Sequence, residues 1–466
     1  MAHIKITKGL DIPIKGKPNG SVCPLVPRGG TSFSPKLMSL NLKPFEEIKL
    51  RLLAKPGEAV KVGTPLAEDK NCPGRMFVSP ACGVVKEVRR GLKRRLLDVV
   101  IEADPQENFQ EFPPLNPSHA SREEIINRLK AGGLFAHIRS RPFNLLADPH
   151  KMPRNIFVKA LESALFTPPA ELQVEGQESA FQAGLTALSK LTSGQVHLIY
   201  RQDCLSKAFL EAKDVQKHTA EGPYPVSNHS LHIEKIDPIR SAEDCVWTLN
   251  VRQVVAIGHL LSTGRYFNEK IIGIGGTGIL PDQTGYFRVK EGFPISGLLI
   301  GRIQKGWVRL ISGDPLLGEK VEEGDFLGFY HDVFCAIPEN THREFLHFFR
   351  LGLDKYTFSK AYLSGHFNPS GHEYDFTTNQ HGEHRAFIDS TLYDEVMPLR
   401  IPTMLLVKAV MAEDFDLAVD LGLLEVDSED FALPSFVCPS KIEMTDIIKS
   451  GLKTFAKEAL ASTLSI

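Results

Sequence analysis

The sequence predicts a multidomain chain of mixed α/β and α+β type. Three observations carry that prediction: short segments punctuated by Gly and Pro between Lys43 and Asp104, alternating helix and strand patterns from about 121 to 201, and a helical stretch near the end. At 466 residues the chain is long enough for three or four domains, taking roughly 100 to 200 residues for each. We divide it into 1–112, 113–245, 246–335 and 336–466.

The first division holds KPGEAVKVGTPLAEDK, then FVSPACGVVKEV, then LLDVVIEAD, which read as short strands between turns. The pattern resembles the barrel-sandwich fold of lipoyl and biotinyl carriers, in which a lysine on a tight hairpin is modified. Lys70 lies near that turn, but EDKNCPG lacks flanking methionines, so the expectation is an unmodified relative of the fold. The basic stripe Arg89, Arg90, Lys93, Arg94 and Arg95 reads as a solvated hairpin, and nothing else points to nucleic acid.

A Pro-rich connector, FPPLNPSHA, leads to the second division. Ser121 and Glu124 form a capping box that opens the helix REEIINRLKAGG, and Gly132 or Gly133 ends it. NIFVKAL reads as a strand, QESAFQAGLTALSKLTSG as a helix and QVHLIYR as another strand, so a Rossmann-like parallel sheet is expected. Such sheets bind ligands beyond the carboxyl ends of their strands. A phosphate cradle there needs glycines so that backbone amides can reach the anion. The loop is instead AGGLFAHIRSRPFN, crowded by Phe135, His137, Ile138 and Arg139. Arg139 and Arg141 are candidates to replace those amides as anion partners, and Phe143 to stack on a ring.

In the third division the stretch from Trp247 to Leu317 reads as one helix, LNVRQVVAIGHLLSTG, followed by short strands, a β-grasp (SLBB-like) module. GIGGTG at 273–278 follows a strand, yet ILPDQTGYF after it is not helical, so a glycine turn is expected instead of a dinucleotide site. The fourth division carries a His-rich hairpin with His366, His372, His381 and His384, then the helix PTMLLVKAVMAEDFDLAVDLG and a final helix from near Lys441. Gly382 breaks the spacing of the last two histidines, so a metal site is not expected.

Lysines and arginines number 54 against 56 acidic residues, giving a formal charge of −2. Seven scattered cysteines contain no CxxC pair, and Cys438 in FVCPSK stands alone where an iron–sulfur centre needs four thiolates. Cys438 is therefore read as a small packed side chain. No signal peptide and no run of roughly 18 apolar residues occurs.

Six motifs in order, ITKGLDIPIKG, SPACGVV, RSRPF, EGPYP, EVMPLRIPT and FVCPSK, resemble the A subunit of the bacterial sodium-translocating NADH:quinone oxidoreductase over essentially the whole chain. That family is similar in turn to the flavin subunit of respiratory complex I and the C subunit of the Rnf complex. The resemblance implies a peripheral subunit on the cytoplasmic face of the bacterial inner membrane, partnered by five other subunits, some of them integral to the membrane. It implies a complex that uses NADH, flavins, iron–sulfur centres and ubiquinone to export sodium. The glycine-rich flavin loop and cluster cysteines of the relatives are missing here, so no redox cofactor is expected in this chain; ALESALFTP, with Glu162, resembles the acidic segment lining the relatives' flavin pocket, and the resemblance thus implies Arg139, Arg141, Phe143 and Glu162 as the residues of any vestigial flavin or quinone pocket. A free-standing NADH:flavin oxidoreductase and a lipoyl-type carrier modified at Lys70 are the alternatives.

Overall fold

The computed structural model describes residues 1–25, 35–341, 345–346, 349–368 and 371–463. Side chains that alternate along a strand face opposite sides of its sheet, and this rule arranges the whole molecule. The barrel-sandwich strands fall into a four-stranded sheet and a three-stranded sheet, with Leu37–Asn41, Gly83–Arg90 and Leu96–Ala103 adjacent in the first. Met38, Leu40, Val85, Val99 and Ile101 meet Leu66 and Phe77 between the two. The basic stripe is the tip of the hairpin joining Gly83–Arg90 to Leu96–Ala103, as expected. Lys70 sits exposed on the turn after strand Pro65–Asp69.

The second domain centres on a seven-stranded sheet. Its parallel strands Asn155–Ala160, Val196–Arg201 and Gln216–Glu221 lie side by side, and Val246–Asn250 flanks the first of them on the other side. The strand order thus reverses between Asn155–Ala160 and Val246–Asn250, the place where such sheets open a crevice. Ser121 and Glu124 form the expected capping box at helix Arg122–Ala131. Ile156, Val158 and Ala160 point into a core with helices Glu178–Ser189 and Val251–Thr263, whereas Phe157 points into a core shared with the C-terminal helices. Lys159, next but one along the strand, is carried to that same C-terminal side.

Helices Glu178–Ser189 and Val251–Thr263 touch backbone to backbone. A Cβ added at Gly258 would lie 1.7 Å from the Ala180 carbonyl oxygen, and one at Gly184 would lie 2.2 Å from that of Val254. The second of these helices corrects the sequence reading, which assigns it to the β-grasp module. Trp247 and Leu249 belong instead to a strand of the second domain's sheet, and the helix starts at Val251 with Asn250 and Gln253 as a capping box. The strand VWTLN, buried along its length up to Asn250, runs into the helix without a turn residue between them.

Downstream, Glu269–Gly275 joins a six-stranded sheet. The GIGGTG turn is filled by close backbone contacts: Gly276 N–H donates to the Gly16 carbonyl at 2.9 Å and Gly278 N–H to that of Ala336 at 2.8 Å. A Cβ at Gly273 would meet the Phe166 carbonyl oxygen at 1.9 Å. These amides are consumed inside the protein.

Two further corrections concern the last quarter. The long helix expected from Pro402 to Gly422 is two helices, Thr403–Met411 and Phe415–Asp420, because Glu413 takes a φ of 56° and the Asp414 carboxylate caps the second by accepting from Leu417 N–H. The His-rich hairpin is not formed: among the described residues, 371–384 holds no paired strands beyond a single bridge from Ile14 to Tyr374, and Pro369 and Ser370 of that segment lie outside the described residues. Gly371, Gly382 and short polar side chains give this segment no alternating apolar face to bury. Cys438 is fully buried, 3.2 Å from the Tyr393 hydroxyl, and its sulfur accepts from Ile442 N–H. The final helix runs Met444–Thr463, starting later than Lys441 because Ser435 Oγ accepts from Met444 N–H at 3.0 Å.

The helix contact yields a test. Gly258→Ala should cost about 1 to 3 kcal/mol in urea unfolding through overpacking, whereas Gly324→Ala, with nothing within 4 Å of the new methyl, should stay within about 0.5 kcal/mol.

Candidate functional site

The bulky residues expected to rim a flavin loop are packed inward. Leu134–His137 forms a 3-10 turn, and Phe135, His137 and Ile138 are buried. The Phe135 ring meets Trp247 edge-on at 5.6 Å, and the His137 imidazole stacks on Phe329 at 4.6 Å. Burial pushes His137 down to about 4, so it is neutral. Gly133, with a φ of 77°, presses against the Val78 side chain. This loop fastens the barrel-sandwich domain onto the second domain, and its bulk fills an interface.

The four candidate side chains lead to a different element, the turn Asp427–Phe431 of the C-terminal module. Arg141 is 2% exposed. It donates through Nη1 to Ser230 Oγ at 2.8 Å and through Nη2 to the Glu425 carbonyl at 3.2 Å. Arg139 donates to both the side-chain and backbone oxygens of Asn144, which in turn donates from Nδ2 to Asp427. Glu162, just past the carboxyl end of strand Asn155–Ala160, holds Lys159 Nζ at 3.0 Å. Phe143 stands at the margin, edge-on to Phe455 at 5.9 Å. Arg139 thus reaches the turn through Asn144, Arg141 reaches it through Ser230, and Glu162 shares Lys159 with Glu429 on that turn. Phe143 packs beside it on the final helix.

The charges here are crowded. Burial pushes the Glu162 carboxyl up, against the pull of Lys159. Burial also works against the Lys159 ammonium, yet Glu162 and Glu429 outweigh it and hold the ammonium above its ordinary value. Burial, with Asp427 and Asp430 alongside, pushes Glu429 up to about 8 despite Lys159 and Arg141. Asp430 is 4% exposed and is also pushed up by burial; it accepts from Asn228 Nδ2 at 2.8 Å, from the Asp427 N–H at 2.8 Å and from the Ser230 hydroxyl.

Sequence reasoning missed Lys159, Asn228, Ser230, Glu429 and Asp430. The only signal was positional: Lys159 is the last residue but one of a strand, and VSNHS after EGPYP begins a helix with Asn at the cap. It also missed a second buried array. Arg252 and Tyr266 both donate to the Glu291 carboxylate, and Lys270 lies 3.3 Å from Asp332. The four histidines go separate ways: His366 bonds the Lys360 carbonyl, His372 packs on Tyr374, His381 packs on Tyr362, and His384 is exposed. No cluster of three metal-capable side chains occurs among the described residues.

Comparison with known proteins decides the family. Residues 4–104 match the model of the NqrA N-terminal barrel-sandwich hybrid domain, and residues 120–266 match that of the NqrA second alpha/beta domain. The A subunit of the Na(+)-translocating NADH-quinone reductase from Chlamydia caviae is 39% identical, covering 98% of this chain and 97% of its own length. The chain belongs to the NqrA family, the A subunits of the Na(+)-translocating NADH-quinone reductase. The NqrA relatives of Chlamydia pneumoniae, 37% identical over 98% of both chains, and Tolumonas auensis, 34% identical over 96% of this chain and 98% of its own, agree. Among solved structures, an NAD+-reducing [NiFe]-hydrogenase in its H2-reduced state matches 48% of each chain with a TM-score of 0.34 and 12% identity, too loosely to bear on the fold. The family models therefore fix this NqrA-family chain as a barrel-sandwich domain followed by an α/β domain. No helix among its described residues is long and apolar enough to cross a membrane.

The charge cluster predicts a pH dependence. Between the ordinary carboxyl value of 4.5 and about 8, the folded chain keeps a proton on Glu429 that the unfolded chain has released. Stability therefore falls as pH rises through that window, and Glu429→Gln should flatten the slope in urea unfolding measured from about pH 5 to 8.5.

Proposed function

We propose that this chain is the A subunit of a sodium-translocating NADH:quinone reductase and serves that complex as a peripheral scaffold that carries no redox cofactor of its own. Membership of the family carries the first half of this reading. The second half rests on the packed loop: Gly133, Phe135 and His137, which would have to leave room for an isoalloxazine or its phosphate, are packed against Val78, Trp247 and Phe329.

The partners in this reading are the other five subunits, including those integral to the membrane, and the docked face is the cytoplasmic one. NADH, flavins, iron–sulfur centres and ubiquinone belong to the complex. The second domain is Rossmann-like and the module after it is of β-grasp type, and both act as rigid spacers. If the chain helps to enclose a quinone head group, the rim is the place for it. Arg139 and Phe143 keep some solvent exposure there, whereas Arg141 is buried and Glu162 is paired with Lys159.

A tagged chain isolated from detergent-solubilised membranes of its source should bring down membrane subunits together with visible flavin absorbance. The chain purified alone should be colourless; flavin bound in equal amount to the isolated chain would refute the scaffold reading. Phe143→Ala should weaken ubiquinone binding to the assembled complex, read as a raised KM with an unchanged melting temperature. An unchanged KM removes the rim from the quinone site.

A further inference from the structure

Between the strand Val333–Pro338 and the bridge at Tyr374, the chain leaves several large apolar side chains in solvent. Phe345 and Phe349 are 80% and 81% exposed, and Phe367 is 71% exposed. Trp307, 80% exposed, stands where this segment leaves the sheet, since the Glu339 N–H donates to its carbonyl at 2.9 Å. The described part of the segment is closed on itself: Leu363 N–H donates to the Leu351 carbonyl and Asn368 Nδ2 to that of Leu353, both at 3.0 Å. Tyr356 turns inward from the same loop and packs against Phe376 and Phe436, with ring centres 5.6 and 5.9 Å away. One ring pins the loop while others stay uncovered, and exposed apolar clusters of this kind mark docking surfaces.

Charge sets the chemistry of what docks. Residues 342–368 include Arg343, Arg350, Lys355 and Lys360 against Glu344 and Asp354, a positive excess in a chain whose total is −2, and Lys305 lies just before Trp307. Glu339, at the root of the segment, is already paired with Arg309 at 2.7 Å. Aromatic rings interleaved with lysine and arginine match the boundary of an anionic bilayer, where rings sit at headgroup level and cations meet lipid phosphates. Residues 350–363 lie in neither helix nor strand, and backbone of that kind cannot enter hydrocarbon, so the contact is shallow and made by side chains. We propose that Trp307, Phe345, Phe349 and Phe367, together with Lys305, Arg350 and Lys360, form a surface that docks on anionic phospholipid, the rings reaching the acyl boundary and the cations meeting the headgroups. The chain then holds a bilayer by its own side chains. This goes beyond the subunit reading and does not rest on it, since the test needs no other subunit.

The full chain should co-sediment with vesicles of phosphatidylcholine and phosphatidylglycerol in about equal parts, and bind pure phosphatidylcholine about tenfold more weakly. Phe345→Ser with Phe349→Ser should lower the partition onto anionic vesicles by about tenfold, with an unchanged melting temperature because both positions are exposed. Lys305→Gln with Lys360→Gln should lower it by about the same factor and flatten its salt dependence. Leu205→Ser, at an exposed position of the second domain, should leave it unchanged. Of the two tryptophans Trp247 is fully buried, so a blue shift of emission on adding anionic vesicles to the parent reports on Trp307. Failure of the parent to bind these vesicles overturns the proposal, as does binding that the phenylalanine substitutions leave intact or that leaves the emission unshifted. If the parent binds no vesicles while the phenylalanine variant loses capture of a membrane protein, the patch is a protein interface, and the lipid assignment is overturned.

Discussion

Burying a guanidinium commits the structure around it, and in this chain that guanidinium is Arg141. Its Nη2 bond to the Glu425 carbonyl joins residues 284 apart in sequence. Removing one partner of such a network leaves charge stranded in a low-dielectric interior, so the second domain and the C-terminal module have little freedom to separate. The neighbouring bonds reinforce the same junction: Asn144 to Asp427 and Asn228 to Asp430 cross it as well. Apolar packing runs alongside, since Phe157, Leu231 and Ile233 share one core with Leu406, Val426 and Phe431. The polar contacts set the register of that junction, and the apolar ones supply most of its adhesion.

What the sequence disclosed and what it hid follow from how local each signal is. The Ser121 and Glu124 capping box lies within four residues, and the hairpin of the basic stripe within a few more, so both could be read directly. The strand Val246–Asn250 was hidden because it is buried on both faces and runs straight into a helix with no glycine or proline to mark the change; the Asn250 and Gln253 pair was the available clue. The break at Glu413 was hidden because AED reads as ordinary helix surface, and only the left-handed backbone reveals the turn.

The candidate site was legible by half. RSRPF stood out because two arginines and an aromatic ring beside a parallel strand are chemically conspicuous, and Glu162 in ALESALFTP stood out through the family resemblance. Nothing local announces that Asp427, Glu429 and Asp430 will arrive from the far end of the chain. A run of acids on a short turn reads as solvated surface until the fold encloses it. The inward packing of Phe135 and His137 was equally unreadable, since their burial depends on Phe329 and Trp247, which belong to other elements.

The earliest residues bear on how the chain assembles. Strand His3–Lys5 pairs in parallel with Thr219–Glu221, and Val22–Pro24 pairs with Tyr286–Arg288. A ribosome releases these opening segments long before their neighbours exist. They must wait unpaired while the whole barrel-sandwich domain and most of the second domain are made, a period in which an orphan edge is open to wrong associations. Both strands are only three residues long, which limits that hazard, and their late capture makes the amino-terminal segment one of the last pieces to lock into place.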